Sequence, residues 1–236
     1  MRSEKSEKSI LIVAAHPDDE ILGVGGTAAL HAAKGHRVET LILAEGLTSR
    51  DLRRDKEKRS DDLALLRQTA ANAAEVLGLP APKFGGLPDN RMDGIQLLDV
   101  IKIVEKVVND VAPDIVYTHH GGDLNIDHRV THQAVLTACR PVPKAPTRAI
   151  YTFETVSSTE WAGPDIGPVF QPQRYVVIDK FLEKKLEALA LYTTEMLSFP
   201  HSRSLEAVEA VARVRGSQVG AAAAEAFVVV RDIVRG

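Results

Sequence analysis

Directly after an apolar run near the start of the chain comes His16-Pro17-Asp18-Asp19-Glu20. Three acids and an imidazole beyond the end of a buried strand need compensation. Adjacent carboxylates repel one another and are costly to desolvate. A divalent cation resolves that conflict, and imidazole with carboxylate suits zinc. Taken alone, the segment also fits an acid-rich surface turn. The second cluster is His119-His120-Gly121-Gly122-Asp123-Leu124-Asn125-Ile126-Asp127-His128, with His132 one helical turn on. Four of the eight histidines lie between positions 119 and 132. Asp127 is expected to cap a helix that starts at His128. His128 and His132 then share one face at i, i+4.

The elements that must position these clusters are legible as periodicities. Ser9–Ala15, Val38–Ala44 and Asp114–Thr118 are apolar runs, as expected of strands buried on both faces. Helical spacing predicts helices over Thr27–Lys34, ending at Gly35, over Asp61–Leu77, and over Gln96–Val111. Leu97, Val100, Ile101, Val104, Val107 and Val108 fall on one face of the last. Alternating strand and helix implies βαβ units and a mostly parallel sheet. Each acid-and-histidine cluster directly follows a predicted parallel strand, so both belong at the carboxyl edge of the sheet, where ligands bind. In the second half, Arg148–Glu154, Tyr175–Ile178 and Ala226–Val230 read as strands, and Phe181–Tyr192 and Leu205–Arg215 as helices. Thr155–Gln173, rich in Ser, Gly and Pro, reads as a long functional loop. Arg50–Asp62 is dense in both charge signs and reads as a solvated helix face; the other reading is that Arg50, Arg53 or Arg54 lines a substrate mouth.

Composition narrows the setting. The chain has 236 residues, 44% of them hydrophobic, a formal charge of −3 and one cysteine, Cys139. It is not of disordered composition, and one cysteine makes no internal disulfide. The charge gives no basic field for nucleic acid, and no apolar run reaches the roughly 18 residues of a membrane span. Met1–Lys8 reads as a frayed polar tail without targeting character, followed by one domain over 9–236. A cytoplasmic protein is expected.

Ala14-Ala-His-Pro-Asp-Asp-Glu20 together with Asp123-Leu-Asn-Ile-Asp-His128 resembles the PIG-L/LmbE-like family of zinc-dependent N-deacetylases. Gly86-Leu-Pro-Asp-Asn-Arg-Met-Asp93, Phe199-Pro-His-Ser-Arg-Ser204, Arg213–Gly220 and Ala224-Glu-Ala-Phe227 extend the resemblance over nearly the whole chain past the tail. It implies a Rossmann-like three-layer αβα sandwich with the metal site at the carboxyl edge of the strands. It implies His16, Asp19 and His128 as ligands to zinc, or to another divalent metal such as Fe2+. Asp18 would be the general base for water attack on the acetyl carbonyl of an N-acetylated amino sugar of the GlcNAc type, carried on a larger small-molecule conjugate. A homo-oligomer, trimer or hexamer, is also implied.

The chain has Asn125 where some members carry a histidine. Asn can donate to an oxyanion but supplies no titrating proton. Asp127 would orient a histidine of the site. Glu45, Asp89, Asn90, Arg91, His120 and His201 are further candidates for touching substrate, and His31 and His36 read as surface residues. Three alternatives stay open: a hydratase or non-hydrolytic protein on the same fold, a structural metal with His120 or His132 as fourth ligand, and a dinucleotide enzyme. For the last, Gly23-Val-Gly-Gly-Thr-Ala28 fits G-x-G-x-x-A and Glu45 lies about twenty residues on. Against it, His16–Leu22 separates the strand from the first glycine. Gly23, Gly25 and Gly26 are then read as permitting close helix packing.

Overall fold

In a computed structural model that describes residues 7–234, Ser9–Ala14 forms strand β1. Its side chains alternate between two cores. Leu11 and Val13 enter one apolar cluster, and Ile10 and Ile12 enter another on the opposite face. This is why the run is apolar throughout rather than alternating. Fully burying one such aliphatic side chain contributes about 1.5–3 kcal/mol. The chain continues through α1 (Asp19–Ala33), β2 (Arg37–Ala44), α2 (Ser60–Val76), β3 (Lys83–Leu87), α3 (Leu97–Val111), β4 (Ile115–His119), α4 (Ile126–Ala138) and β5 (Ala149–Phe153). It ends with β6 (Arg174–Val177), α5 (Leu182–Ala190), α6 (Leu205–Ser217) and β7 (Ala224–Asp232).

The seven strands form one sheet in the order β3-β2-β1-β4-β5-β7-β6. The first five are parallel, and β7 runs antiparallel to both β5 and β6. Helices α3 and α4 cover one face. Helices α1, α2, α5 and α6 cover the other. The expected three-layer αβα sandwich is therefore present. Strand order reverses at β1: the chain steps outward to β2 and β3, then returns to lay β4 on the other side. A crevice opens outside the carboxyl ends of β1 and β4 at such a switch point.

Several boundaries differ from the sequence reading. Helix α1 begins at Asp19, not Thr27, because the glycines that weaken helix propensity lie inside it. They are there for packing. A Cβ on Gly23 would lie 2.1 Å from a ring carbon of Phe153, and one on Gly26 2.7 Å from Ile178. The dinucleotide motif is thus helix interior rather than a phosphate loop. Midway along α1, Glu225 accepts the backbone N–H groups of Gly26 (2.9 Å) and Thr27 (2.7 Å). Lys185 pairs with Glu225 at 2.7 Å and donates to Leu22 O at 2.7 Å, so each charge of this buried pair has further hydrogen bonds beside its partner. Strand β3, with two glycines, has no period-2 signature. Leu97 is exposed, while the rest of its predicted face is buried. Residues 51–59 are irregular rather than helical. Of the expected tail, residues 1–6 lie outside the described residues, and Glu7 and Lys8 are exposed.

Candidate metal centre at the β1–β4 crevice

Asp18 sits between β1 and α1 with φ 108°, a region non-glycine residues rarely occupy. That conformation lets neighbouring side chains diverge. Asp19 opens α1, where the helix N-terminus favours negative charge. Its Oδ2 lies 3.1 Å from His16 Nδ1 and 3.2 Å from His128 Nε2. The three donor atoms converge within 4.8 Å of one another, all buried. Ligand atoms around a tetrahedral zinc with bonds of about 2.0–2.2 Å stand about 3.3–3.6 Å apart, so the spacing fits.

Each imidazole is held from behind by a carboxylate. Asp127 Oδ2 lies 3.1 Å from His16 Nε2, and Asp89 Oδ1 lies 3.4 Å from the same nitrogen. Asp123 Oδ1 approaches His128 Nδ1 to 3.0 Å, though out of hydrogen-bond alignment. Such partners fix ring orientation and raise ligand basicity. Asp127 is free for this because it does not cap α4. The helix starts at Ile126, and Asn125 is the cap, its Oδ1 accepting Asp127 N–H at 2.8 Å. Asp127 Oδ1 also accepts Met92 N–H at 2.9 Å. Asn125 Nδ2 donates to Asn90 at 2.8 Å.

The electrostatics point to a cation. Burial works against a charged His128, yet Asp19 and Asp123 outweigh it and push the ring up to about 9. For His16 burial is likewise outweighed, by Asp127 and Asp19, and its pKa rises well above the ordinary value. Burial raises Asp18 well above the usual carboxylate range, against the lowering influence of Arg203. Asp18 Oδ1, Asp19 Oδ1 and both ring nitrogens of His128 are buried without a hydrogen-bond partner among the described residues. Unpaired buried polar atoms are expensive, and a bound metal would satisfy His128 Nε2, the nitrogen that faces Asp19.

Other candidates fall into place around this cluster. His119 is fully buried. It accepts Ala15 N–H at Nε2 (2.9 Å), approaches Thr155 Oγ1 at 3.2 Å, and stacks on His128 with ring centroids 3.8 Å apart. Burial, with the His128 charge, holds it well below the usual histidine pKa. His120 Nε2 donates to Pro168 O at 2.7 Å and His132 Nδ1 to His119 O at 2.9 Å, so neither joins the cluster. Asp89 is at the cluster, whereas Arg91 is exposed. Glu45 is buried and its carboxylate is already engaged by Arg54 (2.7 Å), Lys56 (2.6 Å) and Thr48 (2.9 Å). His201 accepts Arg203 N–H at 3.0 Å. His31 and His36 are half-buried rather than on the surface; their Nδ1 atoms are 2.8 Å apart, and His31 Nε2 lies 3.1 Å from Tyr117 Oη.

The residue that sequence reasoning passed over is Arg203. It donates to Asp18 Oδ2 at 3.0 Å and to Ser157 Oγ at 2.9 Å. It stands in Phe199–Ser204, two residues after His201, and only its charge in a segment rich in turn residues signals it. The Thr155–Gln173 loop also reaches the site. Hydroxyls of Ser158 and Thr159 hold Asp123, the latter at 2.6 Å.

A doubly wound sheet with a His–Asp–His cluster at its switch point defines an α/β protein with a metal-capable crevice. The chain belongs to the PIG-L family, described as GlcNAc-PI de-N-acetylase, whose profile matches residues 11–139. It is 30% identical over 195 residues to the "Uncharacterized deacetylase YaiS" of Escherichia coli K12, covering 80% of this chain and 92% of that one. It is 24% identical to the "Probable N-acetyl-alpha-D-glucosaminyl L-malate deacetylase 2" of Bacillus anthracis, covering 81% of this chain and 83% of that one. The fold is shared with GalB, the 4-carboxy-2-hydroxymuconate hydratase of a Pseudomonas, at TM-score 0.76 and 24% identity over 97% of this chain and 98% of that one.

Proposed function

We propose that the chain is a metal-dependent N-deacetylase, cleaving the acetamide of a GlcNAc-type amino sugar within a larger conjugate. His16, Asp19 and His128 are the metal ligands, and zinc suits them best, with Fe2+ the next candidate. The observation that carries the reading is one Asp19 oxygen seated between two imidazole nitrogens, with Asp18 buried next to it. Family membership and the deacetylase relatives support it.

When bound, the metal supplies a Lewis acid that acidifies water and polarises the carbonyl. The protein supplies the rest. Asp18 Oδ2 is held by Arg203, which leaves Oδ1 to take a proton from the attacking water. The same carboxyl then returns that proton to the leaving amine nitrogen, since an amine anion does not depart at neutral pH. Arg203 fixes the rotamer of Asp18 and offsets the negative charge beside Asp19. Asp127 and Asp123 keep the two imidazoles in place. Asn125, engaged at both side-chain atoms, acts through the α4 N-terminus and Asn90 rather than on the reacting carbonyl. Asp89, beside His16, is held by Ser49 N–H (3.0 Å), Ser49 Oγ–H (2.6 Å) and Asn90 Nδ2 (3.0 Å), so like Glu45 it supports the site from behind.

The test is acetate release from a panel of N-acetylated amino-sugar conjugates by zinc-loaded protein, beside hydration of an unsaturated dicarboxylate. Acetate with some sugar is expected. Hydration without acetate release would overturn the assignment in favour of the hydratase alternative.

A further inference from the structure

Glu20 is the third acid of His16–Glu20 and lies outside the His16–Asp19–His128 cluster. It is buried, and its carboxylate has two other partners. Oε2 accepts the backbone N–H of Asp18 at 3.0 Å, and Oε1 accepts the Tyr192 hydroxyl at 2.6 Å. Tyr192 stands just past the end of α5 and is 1% exposed. Helix α5 packs along α1, and its Lys185 donates to Leu22 O at 2.7 Å. The first turn of α1 is thus tied to the α5 segment at two buried points, Glu20 and Leu22.

The bond to Asp18 N–H matters because of the conformation there. At φ 108° the Asp18 backbone is strained, by about 1–3 kcal/mol for such regions, and persists only where its surroundings over-determine it. Arg203 holds the carboxylate of Asp18 but not its peptide N–H. Helix capping by itself accounts for a carboxylate reaching back to that N–H. It does not require the carboxylate to be buried and locked at its other oxygen by a phenol 172 positions along the chain. We propose that Tyr192 is a positioning residue for the reaction: through Glu20 it holds the Asp18 backbone at the angle its carboxyl needs for proton transfer. This rests on the reading of Asp18 as the base. A displacement of about 1 Å at such a group can cost about 10²-fold in rate. Loss of one of two holds should cost less, about tenfold.

Tyr192→Phe removes one oxygen and keeps the ring in the core. In the zinc-loaded protein, kcat for acetate release is expected to fall about tenfold, with KM within about twofold and zinc content unchanged. Exchange of the Asp18 amide hydrogen, followed by NMR, is expected to quicken about tenfold. Tyr151→Phe is the matched control. It also takes the hydroxyl from a buried tyrosine that donates to a carboxylate, Asp232 at 2.8 Å, but on β5. It is expected to leave both kcat and Asp18 exchange unchanged. Equal losses of kcat in the two variants would make Tyr192 a core residue only and overturn the proposal. So would a Tyr192→Phe protein with unchanged kcat, with unchanged Asp18 exchange, or with its loss confined to KM. If the wild type releases acetate from no sugar, the deacetylase reading fails instead, and the exchange rate alone decides whether Tyr192 holds Asp18.

Discussion

Asp18 and Asp19 are neighbours of the same residue type that face different tasks. Asp19 is drawn below the ordinary carboxylate range: burial opposes this, but His128 and His119 prevail. Asp18 is pushed the other way by burial. A pair of carboxyls whose environments diverge is the usual arrangement for separate roles at one pH. Asp18→Asn is therefore expected to keep bound zinc, measured by metal analysis, while kcat falls by about 10²–10⁴. Loss of metal would reassign Asp18 as a ligand. Asp123→Asn removes the carboxylate behind His128. Zinc affinity, measured by competition with a chelator, is expected to drop about 10–100-fold. An unchanged affinity would mean that Asp123 serves only the Ser158–Thr159 turn.

At the scale of elements, the site depends on how closely α1 lies on the sheet. Gly23 places the helix backbone against Phe153, with no room for a methyl group. Gly23→Ala gains about 1 kcal/mol of helix propensity but overpacks the core by about 1–3 kcal/mol. Overpacking should win, because the obstructing atoms are an aromatic ring fixed on β5. A lower midpoint in thermal or urea unfolding is expected; a higher one would show that Phe153 can swing aside. The same packing explains why the start of α1 was illegible. Glycines that read as a loop on propensity are helical here because tertiary contact decides. Helix α3 was plain by contrast, since Val100, Ile101, Val104, Val107 and Val108 repeat at helical spacing and bury the same face. Among the described residues, no helix is long and apolar enough to cross a membrane.

For the molecule as a whole, His31, outside the site, should make stability fall in mild acid. Burial holds His31 down to about 3. In the unfolded chain the ring takes up its proton near pH 6.5; in the folded protein it does so only near 3. The folded state is thus penalised progressively as pH falls from about 6.5 to about 3, and the contribution is fully present above that window. His31→Gln is expected to flatten the slope of unfolding free energy against pH in this range by up to about one proton. An unchanged slope would show that His31 charges with His36 as its acceptor.

The sequence by itself marked the two clusters that the crevice brings together. Each directly follows a strand whose apolar run announces burial, and strand ends in a parallel sheet share one edge; the choice of His16, Asp18, Asp19 and His128 within them is what the family resemblance implies. Asp127 was legible as an orienting residue but was also read as the cap, since one-dimensional spacing does not say which of two adjacent polar residues turns outward. Only the tertiary structure decided that Asn125 takes the cap and frees Asp127 for His16. It alone brought Arg203, 185 positions along the chain, to Asp18. It also withdrew Glu45 into its own ion pairs. Local pattern records periodicity and burial; the partner of a long polar side chain is set by loops whose paths no periodicity encodes.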